Sequence, residues 1–272
     1  MTTTRTLFLS PRVTATGHAL ADAARRRGAR VETLRDWRVP EGYRPEPGVS
    51  LYAGPLFADA VAGGLGLGLL EAPEDWLARL PYELTLRDVE FTTIAEAWRL
   101  RRPAFVKPPN DKSFPARVYP DGGGLPGPDA VGGTEPVLVS DIVAFAVEYR
   151  LFLLDGEVRT GSRYATRGAL DVVPLAEDPR RAEVLAFAGR ITETAGSGAA
   201  GAALPSAIVV DVGLIDGTGW AVVEANAAWA SGHYACDADA ALDVVLRAAR
   251  PEGEFGAADH RFLRPVPDVV RD

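Results

Sequence analysis

The chain has 272 residues, 47% apolar and 24% charged, the composition of an ordinary globular protein. A net charge of −8 at neutral pH and an isoelectric point near 5.1 argue against a nucleic-acid partner on bulk electrostatics. A single cysteine, Cys236, excludes a disulfide framework within the chain and fits a reducing compartment.

The first residues run straight into a strand-like segment, with no apolar signal core and small-residue cleavage site before it. The longest apolar stretch, 61–70, is too short and too glycine-rich to span a bilayer. A cytoplasmic protein with no membrane partner is therefore expected. Abundant Ala, Gly and Arg with almost no Lys fit a GC-rich bacterial genome.

Residues 5–9 read as a buried strand. Thr14 or Thr16 caps a helix running to Arg27, which Gly28 ends. Strands at 30–34, 49–53 and 66–70 alternate with helices from Pro55 and Pro73. This alternation predicts a small α/β layer over residues 1–84. The glycine-rich run 63–68 has the wrong spacing for a dinucleotide fingerprint and reads as a helix end and turn. A second unit is expected over 85–250, followed by a tail over 251–272, either an ordered arm or loose. In that second unit a helix over 92–101, capped by Thr92, precedes a strand ending at Lys107. Residues 116–119 return as its hairpin partner. The loop 121–133 carries six glycines and two prolines and reads as a lid or as slack. A strand over 137–143, a hairpin over 148–163, a helix over 179–194, a hairpin over 207–228 and a helix over 237–250 complete the order.

Three features carry chemistry. Lys107 and Lys112 are the only lysines of the chain; every other basic side chain is arginine. A compact ammonium on a flexible stem suits a single phosphate oxygen, so two lysines within six residues suggest a local demand for it. In the 207–228 hairpin, a two-residue loop at Gly217 and Thr218 sets Asp211 opposite Glu224, with Asn226 on the same face. Directly opposed side chains lie about 5 Å apart at Cβ, so the two acids repel unless a cation sits between them. Two carboxylates and an amide oxygen suit Mg²⁺ that takes its remaining ligands from water and phosphate. A solvated polar face is the alternative. In the 148–163 hairpin, Asp155 and Gly156 form the turn, and Arg150, Arg159, Arg163 and Glu148 share one face. The surplus positive charge is a clamp for phosphate or carboxylate, or again a solvated face.

The ordered set is similar to the ATP-grasp superfamily: a Lys-Pro strand, a second lysine in the next turn, Val-Leu-Val-Ser-Asp-Ile-Val at 137–143, Glu-Tyr-Arg at 148–150, then Asp211 and Glu-Ala-Asn at 224–226. Within it the chain most resembles the clade named for one arginine and two lysines. The resemblance implies an α/β (α+β) ATP-grasp fold, with nucleotide held between two α+β subdomains behind a small N-terminal domain. It implies ATP and Mg²⁺ as cofactors, and a ligase that joins a small-molecule or peptide carboxylate to an amine through an acyl phosphate. Lys107 and Lys112 would contact phosphates, and Arg150, with Lys112, would act on the transferring group. Val137 and Val139, in a hinge strand reaching Asp141, would hold adenine through backbone groups. Glu148 or Asp141 would hold ribose or the adenine amino group, and Arg163 would join the nucleotide site. Asp211, Glu224 and Asn226 would bind Mg²⁺. Trp229 and His233 would line the acceptor site. Phosphoryl transfer to another acceptor, or a nucleotide-binding module without turnover, are the competing readings.

Overall fold

The computed structural model describes residues 5–110, 113–198 and 201–265. Strands β1 (Thr6–Leu9), β2 (Arg30–Thr33) and β3 (Val49–Tyr52) form a parallel sheet with β1 in the centre. Helix α1 (Ala15–Arg26) joins β1 to β2. Of the two expected caps Thr14 is used: its hydroxyl accepts the Gly17 N–H at 2.9 Å. Gly28 takes φ +74°, a conformation open to glycine, and turns the chain into β2. Helix α2 (Pro55–Leu65) starts on proline and stops at the left-handed Gly66. Gly63, Gly64 and Gly66 are thus a helix end and turn, while Gly68 lies in the strand that follows. The next strand, β4 (Leu67–Leu69), leaves this sheet and pairs antiparallel with residues 249–251 near the other end of the chain.

The helix expected from Pro73 is two short turns, α3 (Trp76–Arg79) and α4 (Tyr82–Thr85), because Pro81 interrupts it. Strand β5 (Val89–Thr93) occupies residues expected to begin a helix. Its β-branched and aromatic side chains favour the strand, and Thr93 rather than Thr92 caps the short helix α5 (Ile94–Ala97). Strands β6 (Ala104–Lys107) and β7 (Arg117–Tyr119) pair as expected, and β8 (Pro136–Ser140) lies between β5 and β6. The loop 121–133 is tied to the segment after α5 at two points. The Trp98 indole donates to the Pro126 carbonyl at 2.8 Å, and the Gly122 N–H donates to the Leu100 carbonyl. A Cβ at Gly122 would stand 2.2 Å from the Trp98 carbonyl oxygen, so only glycine fits this approach.

The largest sheet is antiparallel. It holds β9 (Phe145–Leu154), β10 (Glu157–Thr166), β11 (Ala169–Pro174), β12 (Ala207–Ile215) and β13 (Gly219–Asn226), in the order β11-β10-β9-β12-β13. One face is apolar: Tyr149, Leu151, Val210 and Val212 pack under helix α6 (Arg181–Gly196) through Val184, Phe187 and Ile191. The opposite face is split. Phe152, Ala207 and Val209 join the core of the N-terminal layer, while Glu148, Arg150, Asp211, Glu224 and Asn226 stand beside them as a polar patch.

Helix α7 (Ala238–Ala248) and strand β14 (Ala249–Pro251) return to the N-terminal layer and share its core with Leu7, Leu51 and Leu65. The separate tail expected from residue 251 is, over its described residues, built into that layer. Arg264 is 9% exposed and donates to both Asp59 oxygens and to Glu71. Among the described residues no helix is long and apolar enough to cross a membrane. Replacing Arg264 with Ala leaves two buried carboxylates without this cation. The expected loss is about 3–5 kcal/mol of unfolding free energy by urea denaturation.

Candidate active site

Arg150 lies at the centre of the polar patch. Its strand, β9, is flanked on both sides, so Arg150 faces Asp211 on β12 and Ser162 on β10. Its Nε donates to Asp211 Oδ1 at 2.9 Å and its Nη2 to Oδ2 at 2.6 Å, a bidentate pair. The third donor, Nη1, reaches the Gly232 carbonyl at 3.2 Å. The guanidinium also lies 5.8 Å and 5.2 Å from the ring centres of Tyr164 and Tyr234, which stack on each other. Burial is the largest influence on Arg150 and opposes its charge, but the Asp211 carboxylate outweighs it and holds the guanidinium above its usual range.

Asp211 and Glu224 are directly opposed across β12 and β13, and Asp211 is 1% exposed. Two cations from different sheets compensate them. Arg150 takes Asp211, and Lys107, at the end of β6, donates to Glu224. Burial opposes the charge of Glu224, yet Lys107 and Asn226 hold its carboxyl below the usual range. The Asn226 amide links the two acids, donating to Asp211 Oδ2 at 3.2 Å and to Glu224 Oε1 at 3.0 Å. Glu148 adds a third acid to this face. Burial, with the charges of Asp211 and Glu224, pushes it upward, against a 2.8 Å bond from the Tyr164 hydroxyl.

The register reaches this result by an unexpected route. The β12–β13 loop has three residues, closed by Ile215 and Gly219, and not two. By itself that would pair Asp211 with Val223 and turn Glu224 to the apolar face. A bulge at Val223 adds the missing residue and restores the Asp211–Glu224 pair. The other hairpin keeps its expected turn: Asp155 and Gly156 both have positive φ. A bulge then makes Arg159 the extra residue, so Arg150 faces Ser162 and not Gly161. Arg159 is exposed. Arg163 is carried to the opposite face, beside Asp171 at 3.3 Å and the buried Asp178 at 3.2 Å. It does not join the polar patch, and the expected triple-arginine face is not formed.

Other expected residues fall in several places. Lys112 lies outside the described residues. Val137 and Val139 point into the core with Ile94 and Val106, and Val139 sits on a strand flanked on both sides, between Glu90 and Val106. Val137 pairs with Thr92 on β5, and the linker 141–144 follows the strand. The side chain of Asp141 accepts the Asp88 N–H at 3.2 Å and pairs with Arg102, so it is committed away from the patch. Glu148 remains on the patch. Trp229 is fully buried and donates to the Leu70 carbonyl at 2.8 Å, which makes it a core residue. His233 lies on the Arg150 side; its Nδ1 is 3.1 Å from the Thr16 hydroxyl, and burial lowers its pKa.

The sequence reading did not anticipate Tyr164, Tyr234 or Arg87. Tyr164 reaches Glu148 only because it is the extra residue of a second β10 bulge, for which the sequence carries no marker. A small cleft runs beside Lys107 and Glu224, bounded by Pro73, Trp76, Asn110 and Leu138. The donor set fits Mg²⁺. Among the described residues no three His, Cys, Asp or Glu side chains converge on one point. Two hard carboxylates and an amide side chain lie together on this face, which is too few for an all-protein cage and suits an ion that keeps water and phosphate ligands.

Residues 84–244 match the model of an ATP-grasp domain, family 2 of the clade named for one arginine and two lysines. Among solved structures, a RimK domain ATP-grasp protein from Sphaerobacter thermophilus superposes with a TM-score of 0.50 at 19% identity, over 89% of this chain and 99% of that one. A D-cycloserine synthetase superposes at 0.52 with 15% identity, over 89% and 98%. An L-amino acid ligase from Bacillus licheniformis gives 0.50 at 14% identity, over 96% and 78%. At these identities the likeness is one of fold. No protein of curated function matches the chain. The chain belongs to the ATP-grasp domains of the one-arginine, two-lysine clade, family 2.

Proposed function

We propose that the protein is an ATP-dependent ligase that joins a carboxylate to an amine through an acyl phosphate, releasing ADP and phosphate. One observation carries this reading: two acids and two cations are interlocked in one polar patch, Arg150 on Asp211 and Lys107 on Glu224, with Asn226 between the acids. Each cation holds a place that a metal would take, and each acid holds a place that a phosphate would take. Arrival of a magnesium nucleotide exchanges the partners without leaving a buried charge unpaired. The solved relatives named above, a synthetase and an amino acid ligase among them, add support.

In this reading Asp211, Glu224 and Asn226 hold Mg²⁺, which supplies charge neutralisation to the phosphates. Lys107 and Lys112 hold phosphate oxygens, and Arg150 neutralises the group in transit. A carboxylate oxygen of the substrate attacks the γ-phosphorus, and the bond to the β-phosphate oxygen breaks with its electron pair leaving on ADP. The amine then attacks the acyl carbon, phosphate departs with the C–O electron pair, and the amine loses a proton. Tyr164 and Tyr234 wall the Arg150 side, and the half-buried His233 beside Thr16 lines the acceptor approach. Glu148 is placed for ribose or the adenine amino group. The base is held by the 141–144 linker. Positioning and fixed charge do most of the work, so no separate nucleophile is required.

Lys107→Met is expected to lower kcat/KM for ADP release by about 10²–10³-fold with the fold intact by circular dichroism. In the same variant the Glu224 carboxyl, buried and without its cation, should rise above the ordinary carboxylate range in an NMR titration. An unchanged titration rules out the pairing. Replacing Asp211 with Asn and Glu224 with Gln together should abolish the gain in nucleotide affinity that Mg²⁺ provides, read by calorimetry; a retained gain rejects the metal site. Incubation with pooled carboxylates, amines and ATP should give ADP, free phosphate and an amide. A stable phosphate ester would instead identify a phosphotransferase, and no ADP would indicate a module without turnover.

A further inference from the structure

Arg87 is 7% exposed and, among the described residues, has no carboxylate within ion-pair distance. It spends its donors on backbone carbonyls: Nη1 to Thr85 at 3.0 Å and to Val222 at 2.8 Å, and Nη2 to Val223 at 3.1 Å. Burying a guanidinium without a carboxylate in contact is costly: burial lowers its pKa to about 10, against the more distant charge of Glu224. Two of these three carbonyls, those of Val222 and Val223, belong to the β13 bulge, the irregularity that sets Glu224 opposite Asp211. Strand β13 is the edge of its sheet, so no further strand is available to hold the bulge. The clamp is itself fixed. The Thr85 hydroxyl donates to the Arg87 carbonyl at 2.8 Å, Leu86 takes φ +50°, and the guanidinium lies over the Phe145 ring.

We propose that Arg87 is a positioning residue for the metal-binding acids: it locks the extra residue Val223 in β13 and thereby turns Glu224 onto the face of Asp211. This rests on the assignment of Glu224 to Mg²⁺ made above. Arg87 touches neither nucleotide nor metal. Its effect runs through the backbone, by fixing which face of the strand Glu224 occupies. Lysine does not replace it, because one ammonium cannot present the planar fork that meets two successive carbonyls.

The test compares Arg87→Met, Arg87→Lys and Glu224→Gln as full-length proteins. Binding of ADP is measured by calorimetry with and without Mg²⁺, and each Arg87 variant is crystallised without ligand. Both Arg87 variants should bind Mg²⁺-free ADP as the parent does and lose at least about tenfold of the Mg²⁺-dependent gain, as outer-sphere partners of metal ligands do. Their structures should show the Val223 bulge lost or moved. If Met at 87 does not fold, Arg87→Lys carries the comparison. A retained bulge with Glu224 still facing Asp211 overturns the proposal whatever the metal does. So does a full Mg²⁺ gain in the Arg87 variants when Glu224→Gln has lost it. If Glu224→Gln keeps the gain while the bulge is lost in the Arg87 variants, the metal assignment fails and the positioning role stands.

Discussion

Two carboxylates, Asp211 and Glu224, are held face to face, the first buried and the second partly buried. Opposed acids at that spacing are destabilising alone. They are tolerated because cations come from two directions, Arg150 from within the same sheet and Lys107 from the sheet above the cleft. That requirement ties the two sheets together more strictly than apolar packing would. A hydrophobic contact can slide, whereas a buried charge needs its partner in place. The polar patch is therefore both the seam between the subunits of the fold and the place where chemistry is available.

The rest of the molecule serves this seam. The apolar face of the large sheet is closed by α6, and the apolar half of its other face is closed by the N-terminal layer. The chain then returns through α7 and β14 to seal that layer from the outside, with Arg264 gripping Asp59 and Glu71. The loop between Trp229 and Cys236 leaves the core and offers its Gly232 carbonyl to Arg150, so the guanidinium is held on three sides. Such a group is oriented before any ligand arrives, which is the condition for electrostatic stabilisation without reorganisation.

Much of this was legible in the sequence. The only two lysines lie within six residues at and after the end of β6, and valine-rich runs either side of a turn identify both strands that carry acids. The N-terminal elements followed from caps and helix breakers, as at Thr14, Pro55 and Gly66. What was not legible is the counting of residues across bulges. The Asp211–Glu224 pair was reached with a loop one residue too short, and the Val223 bulge compensated for that error. In the other hairpin nothing compensated, and Arg163 landed on the wrong face. Bulges are set by contacts from elsewhere, here the Arg87 guanidinium on β13, and one arginine among many carries no local mark. At Val139 the sequence shows a strand, but not that it lies between two others.

The claim that the interlocked acids and cations exchange partners for a magnesium nucleotide is tested most directly by a crystal structure with Mg²⁺ and a non-hydrolysable ATP analogue. The account predicts Lys107 and Arg150 on phosphate oxygens, with Asp211, Glu224 and Asn226 turned to the metal. A nucleotide bound elsewhere, with both ion pairs intact, would contradict it.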